Sequence, residues 1–157
     1  MGAGPRTVET VDVGEILDEV TRDLRAVMEQ EGAMLERGPL PTVSMDRLGL
    51  RQVLANLVSN AVKFRTELPP RVKVFAEREP DAWRISVADR GIGIDPKDRE
   101  RIFEIFRRLH PSERFPGTGL GLAICEKIVA RGGGRMGVAD VAGGGSRFWF
   151  TVPDPEE

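Results

Sequence analysis

Apolar side chains return at helical spacing through Val13, Ile16, Leu17, Val20, Leu24, Val27 and Met28, which predicts one helix over about residues 13–30. Asp12-Val13-Gly14-Glu15 reads as a capping box at its start, and Gly32 stops it. Pro39 and Pro41 bracket short extended pieces before Asp46 caps a second helix, running to about Phe64. Leu50, Val53, Leu54, Leu57, Val58 and Ala61 form its apolar stripe. The period then switches to two. Val72, Val74 and Ala76 alternate in one strand, Ile85 and Val87 in the next, and Glu79-Pro80-Asp81 supplies the hairpin turn.

Asp95-Pro96 opens a further helix whose apolar face is Ile102, Phe103, Phe106 and Leu109. An irregular stretch from His110 to Pro116 follows. Gly117-Thr118-Gly119-Leu120-Gly121 then leads into a helix ending near Arg131, broken by Gly132-Gly133-Gly134. Val138 to Asp140 and Phe148, Phe150 and Val152 predict two last strands around the Gly143-Gly144-Gly145 turn.

Composition narrows the setting. The 157 residues fit one compact domain, and 23 Lys+Arg against 25 Asp+Glu leave a net charge of -2, with no block suggesting a nucleic-acid arm or a basic membrane-binding face. A single cysteine, Cys125, forms no intramolecular disulfide, and no Cys/His cluster has metal-ligand spacing. No apolar stretch approaches the ~18 residues of a membrane span, and the N-terminus lacks a signal-peptide pattern. A soluble, cytoplasmic domain is expected over 8–153, with residues 1–7 as linker and 154–157 as tail.

Three segments carry chemistry. Asn56, Asn60 and Lys63 sit at i, i+4 and i+7, so two amides and an ammonium share one face of the second helix. Amide oxygens suit Mg²⁺ and a lysine suits phosphate, but a solvated polar face explains the spacing equally well. Asp89 has the parity of Ile85 and Val87, so its carboxylate points inward and needs a donor. An adenine amino group fits, since Gly91 and Gly93 let a flat ligand approach the backbone; an aspartate capping its own turn is the plainer account. The glycines at 117, 119 and 121 precede a helix, whose bare amides and dipole favour phosphate. Their spacing matches neither the dinucleotide fingerprint nor the P-loop, and the signatures of protein kinases are missing.

In this order, Asn56-Leu57-Val58-Ser59-Asn60-Ala61-Val62-Lys63-Phe64, Asp89-Arg90-Gly91-Ile92-Gly93-Ile94, Phe103-Glu104-Ile105-Phe106 and Gly117-Thr118-Gly119-Leu120-Gly121-Leu122 resemble the N, G1, F and G2 boxes of sensor histidine kinases. The resemblance covers roughly residues 8 to 153, and four ordered motifs are far more specific than one. It implies a Bergerat-fold two-layer α/β sandwich, a mixed β-sheet packed on helices with a mobile ATP lid. Asn60 would coordinate Mg²⁺, Asn56 would assist at the metal or the phosphates, and Lys63 would contact phosphate. Asp89 would bind the adenine amino group, with Gly91, Gly93 and Ile94 shaping its pocket. Phe103 and Phe106 would anchor the lid. Gly117, Thr118, Gly119, Leu120, Gly121 and Leu122 would hinge it and cradle the phosphates, and Arg108 would reach the γ-phosphate.

Related gyrase, Hsp90 and MutL ATPases place a glutamate where Asn56 stands, as general base for water. An amide takes no proton, so Asn56 argues for transfer to another protein group rather than hydrolysis. The acceptor would be a histidine on a dimerisation and phosphotransfer domain upstream of residue 1, with a response regulator downstream. His110 lies in the expected lid and lacks the helical surroundings of an acceptor. The sequence departs from the pattern at Arg65, Arg90 and Gly132, none of which holds a proposed core role. The stretch from Arg108 to Cys125 resembles the lids of phytochrome-like kinases. A regulatory nucleotide-binding module, either a degenerate kinase domain or an anti-sigma-type serine kinase, is the alternative, and a nucleotide-free interaction domain a third.

Overall fold

The computed structural model describes residues 8–63, 70–89, 118–140 and 146–155. It opens on β1 (Val8–Asp12), a strand that the periodicity did not announce. The helix that follows, α1 (Val13–Asp23), starts where Asp12 predicts: its Oδ1 accepts from the N–H of Gly14 at 2.8 Å and of Glu15 at 3.3 Å. Two amides that a helix start leaves bare are thereby satisfied.

The single helix expected over 13–30 is instead two. Leu24 leaves helical geometry at φ −96° and ψ 7°, and α2 (Arg25–Glu31) continues with no buried residue. Val13, Ile16, Leu17 and Val20 are buried, whereas Leu24, Val27 and Met28 lie partly buried at the edge of the core. The apolar period thus outlasts the tertiary contact that holds a helix in line. Gly32 ends α2 in left-handed geometry at φ 68°, and the Ala33 N–H returns to the Met28 carbonyl at 2.8 Å.

The extended pieces around Pro39 and Pro41 are β2 (Met34–Arg37) and β3 (Thr42–Asp46). β3 pairs antiparallel with β1 in a small two-stranded sheet. Asp46 then starts α3 (Arg47–Lys63), its Oδ2 accepting from the Gly49 N–H at 3.0 Å. The expected hairpin is β4 (Arg71–Glu79) and β5 (Ala82–Asp89), followed among the described residues by α4 (Thr118–Arg131), β6 (Met136–Asp140) and β7 (Ser146–Pro153). These strands form one sheet in the order β2-β4-β5-β7-β6, mixed because β2 runs parallel to β4 while every other pair is antiparallel. The helix expected from Asp95 to Leu109, the His110 stretch and the Gly143-Gly144-Gly145 turn lie outside the described residues.

Helices α1, α3 and α4 form one layer, with α3 touching α1, α4, β4 and β5. Val72, Val74, Ile85, Val87 and Phe150 meet Leu50, Val53, Leu54, Leu57 and Val58 in a dry interior, every one of them at most 1% exposed. Burial of this kind stabilises by roughly 1.5–3 kcal/mol for each large side chain. Across the sheet's other face, Phe75, Ser86, Trp149 and Gly137 stand in register, and the Arg84 guanidinium lies 4.0 Å from the Trp149 ring centroid. That cation on an aromatic face covers part of the sheet face that no helix covers among the described residues. The result is the two-layer α/β sandwich that the motifs imply.

Candidate functional site

The α3 stripe fixes where the polar residues go. With Val53, Leu57 and Val58 turned into the core, Asn56 and Asn60 fall one turn apart at the stripe's edge. Asn60 is only 6% exposed, and its Nδ2 has no hydrogen-bond partner among the described residues. An amide buried this deeply without a partner loses roughly 1–3 kcal/mol relative to one that is satisfied. Such groups are rare in native interiors, and a ligand that completes the bond is one reason they persist.

Asn56 is half-buried and held differently. Its Nδ2 donates to Cys125 Sγ on α4 at 3.5 Å. Cys125 is itself fully buried, and that burial pushes its thiol from the ordinary 9.0 up to about 11, with the Asn56 hydrogen bond working the other way. The thiol is therefore neutral at physiological pH. Nothing in the sequence pointed to this contact. Cys125 falls three residues after the buried Leu122 and three before Ile128, which reads simply as the apolar face of a helix.

Asp89 lies where its parity placed it. It closes β5 opposite Val72, on the face of Ile85 and Val87, and is 7% exposed. That is the sheet face on which α3, the helix that carries the two asparagines, packs. Leu122 is fully buried in the core, so its side chain serves packing. Thr118, Gly119, Leu120 and Gly121 form the start of α4, and Lys63 the end of α3. The side chains of those five residues, with all of Gly91, Gly93, Ile94, Phe103, Phe106, Arg108 and Gly117, lie outside the described residues.

Among the described residues, α3 carries the two amides and packs against α4 and against β5, which ends at the buried carboxylate of Asp89. Residues 45–156 match the family described as histidine kinase-, DNA gyrase B- and HSP90-like ATPase. The phytochrome-like protein Cph1 of Synechocystis is 43% identical over 142 residues, 90% of this chain and 19% of its own length. Among solved structures, ShkA in complex with AMPPNP is 36% identical with a TM-score of 0.79, covering 97% of this chain and 32% of that one. The catalytic domain of histidine kinase ThkA is 28% identical with a TM-score of 0.78, covering 96% and 99%. The chain belongs to this ATPase family, and within it to the catalytic ATPase domains of histidine kinases. It spans about a fifth of the curated phytochrome-like relative. Among the described residues, no helix is long and apolar enough to cross a membrane.

Proposed function

We propose that this domain binds Mg·ATP between its helical layer and an ATP lid, and transfers the γ-phosphoryl group to a histidine on a separate dimerisation and phosphoacceptor domain. The observation that carries the reading is Asn60, buried on α3 with an amide nitrogen that no described residue satisfies. A buried donor left open in this way is suited to a bound ligand or water.

The residues fit the ion and the nucleotide. Mg²⁺ takes few protein ligands and keeps phosphate oxygens and waters, so two neutral amides from Asn56 and Asn60 make a suitable donor set. When bound, the ion neutralises charge on the β- and γ-phosphates. Turning the Asn60 amide over exchanges its two ends, so the same side chain offers oxygen to a cation or N–H to a phosphate. Lys63 adds a point charge for phosphate, and Arg108 a planar fork for the γ-phosphate. Asp89 accepts from the adenine amino group, Gly91, Gly93 and Ile94 shape that pocket, and Phe103 and Phe106 anchor the lid. The amides from Gly117 to Leu122 face the phosphates at the start of α4. Asn56 is no base, so water goes unactivated and the phosphoryl group is kept for the protein acceptor.

The acceptor domain, a response regulator that receives the phosphoryl group, and a cytoplasmic setting complete the proposal. The first test is calorimetry of Mg·ATP and ADP on the wild type and on Asp89→Asn, which keeps size while removing the accepting carboxylate. Micromolar binding by the wild type, abolished in a variant that still unfolds cooperatively, is expected. No binding by the wild type would sink the proposal. Adding a phosphoacceptor domain should then yield an acid-labile product; an acid-stable one would point to a serine kinase instead.

A further inference from the structure

We infer that Cys125 is a positioning residue for Asn56, setting which end of that amide stands on the ligand side. The inference rests on the proposed role of Asn56 as an oxygen donor. The NH₂ and the carbonyl of a planar amide diverge by about 120°, so a partner that receives the NH₂ also decides where the oxygen stands. Cys125 Sγ receives it at 3.5 Å, from α4 and thus from outside the helix that carries Asn56. With the NH₂ engaged there, the oxygen does not face Cys125.

Two further observations bear on this. Asn60, one turn along the same helix, has no such partner for its Nδ2 among the described residues, so the two amides of the pair are not equally held. Cys125 is also fully buried in the core cluster, so α4 delivers the sulfur from a fixed place. An aliphatic residue would fill the same space; only the sulfur accepts a hydrogen bond there. Its helix begins at Thr118, in the segment proposed to hold the phosphates, so one element supports both ends of the site.

The test uses the full chain with Cys125→Val, which removes the acceptor and adds a methyl, Cys125→Ala, which removes the acceptor and the bulk, and Cys125→Ser, which restores a polar acceptor. Calorimetry gives the ATP affinity with Mg²⁺ and with chelator, and their ratio isolates the metal-dependent gain. Side-chain amide resonances of Asn56 in the nucleotide-free protein report the contact itself. Valine and alanine should each shift those resonances and cut the metal-dependent gain by about three- to tenfold, the size of one ordinary hydrogen bond. Serine should recover most of it. A purely structural cysteine would change the unfolding midpoint and leave the ratio alone. An unchanged ratio in both acceptor-free variants, with Asn56→Ala lowering it, overturns the inference while the ATP site stands. A wild type without ATP affinity overturns both.

Discussion

Gly49→Ala sets two effects of known size against each other. In an exposed helix the change would stabilise by up to about 1 kcal/mol, because alanine is the better helix former. Here a Cβ at Gly49 would lie 2.9 Å from Ile128 Cγ2 and 3.1 Å from Asp46 Oδ2. Carbon pairs sit comfortably at roughly 3.5–4.0 Å, so α4 must withdraw from α3 by about 0.6–1 Å. Ile128 is 8% exposed and β-branched, with one favoured rotamer in a helix, so the strain falls on the backbone rather than on a side-chain rotation. Overpacking of this kind costs about 1–3 kcal/mol and outweighs the propensity gain. Gly49→Ala should therefore destabilise by about 1 kcal/mol. In an Ile128→Ala background the obstructing methyl is gone and only the Asp46 contact remains, so the same change should cost about 1 kcal/mol less than in the wild type. Urea unfolding at constant m, followed through Trp83 and Trp149, measures all four corners of the cycle. Equal effects in the two backgrounds, within about 0.5 kcal/mol, would refute the packing argument.

Two further outcomes are open to measurement. Asp12→Ala removes the acceptor for two α1 amides and should lower stability by about 1 kcal/mol, read from the urea midpoint; Asp12→Asn should recover most of it. Because burial raises the Cys125 thiol to about 11, the folded state holds that proton more tightly than the unfolded one. The contribution is full below the ordinary 9.0 and is lost as pH rises towards 11, amounting to roughly 3 kcal/mol. Relative to Cys125→Val, the wild type should lose stability across that window, which holds no tyrosine titration because the chain has no tyrosine. Parallel pH profiles for the two proteins would count against it.

Local rules made much of the fold legible. Asp12 and Gly32 bounded their helices because a cap and a left-handed glycine act within one turn of where they stand. The β4–β5 hairpin followed from alternation around Pro80-Asp81, and the inward turn of Asp89 from simple parity. What local rules missed is tertiary. The break at Leu24 depends on where α1 runs out of neighbours, although Leu24, Val27 and Met28 keep the helical period. β1 exists because β3 lies beside it, and Val8-Glu9-Thr10-Val11 has too weak an alternation to announce a strand alone. The site divides in the same way. Asn56 and Asn60 were legible as a spaced pair on one helix face. Their unlike surroundings were not, since the sulfur beside Asn56 comes from a residue 69 positions away.

The close approach at Gly49 and the contact at Cys125 belong to one interface. Gly49 lies against Ile128 near one end of α3, and Asn56 lies against Cys125 two turns along, so the pair of helices meets first through a missing side chain and then through a polar contact. A glycine at the first position brings α4 close enough for a sulfur at the second to reach an amide. A bulkier residue at Gly49 would stretch a contact already at the long end of its range, because close-packed helices transmit displacement instead of absorbing it. The apolar seam is therefore part of the proposed site: it sets the distance at which Asn56 is held, while the Asn60 Nδ2 has no hydrogen-bond partner among the described residues.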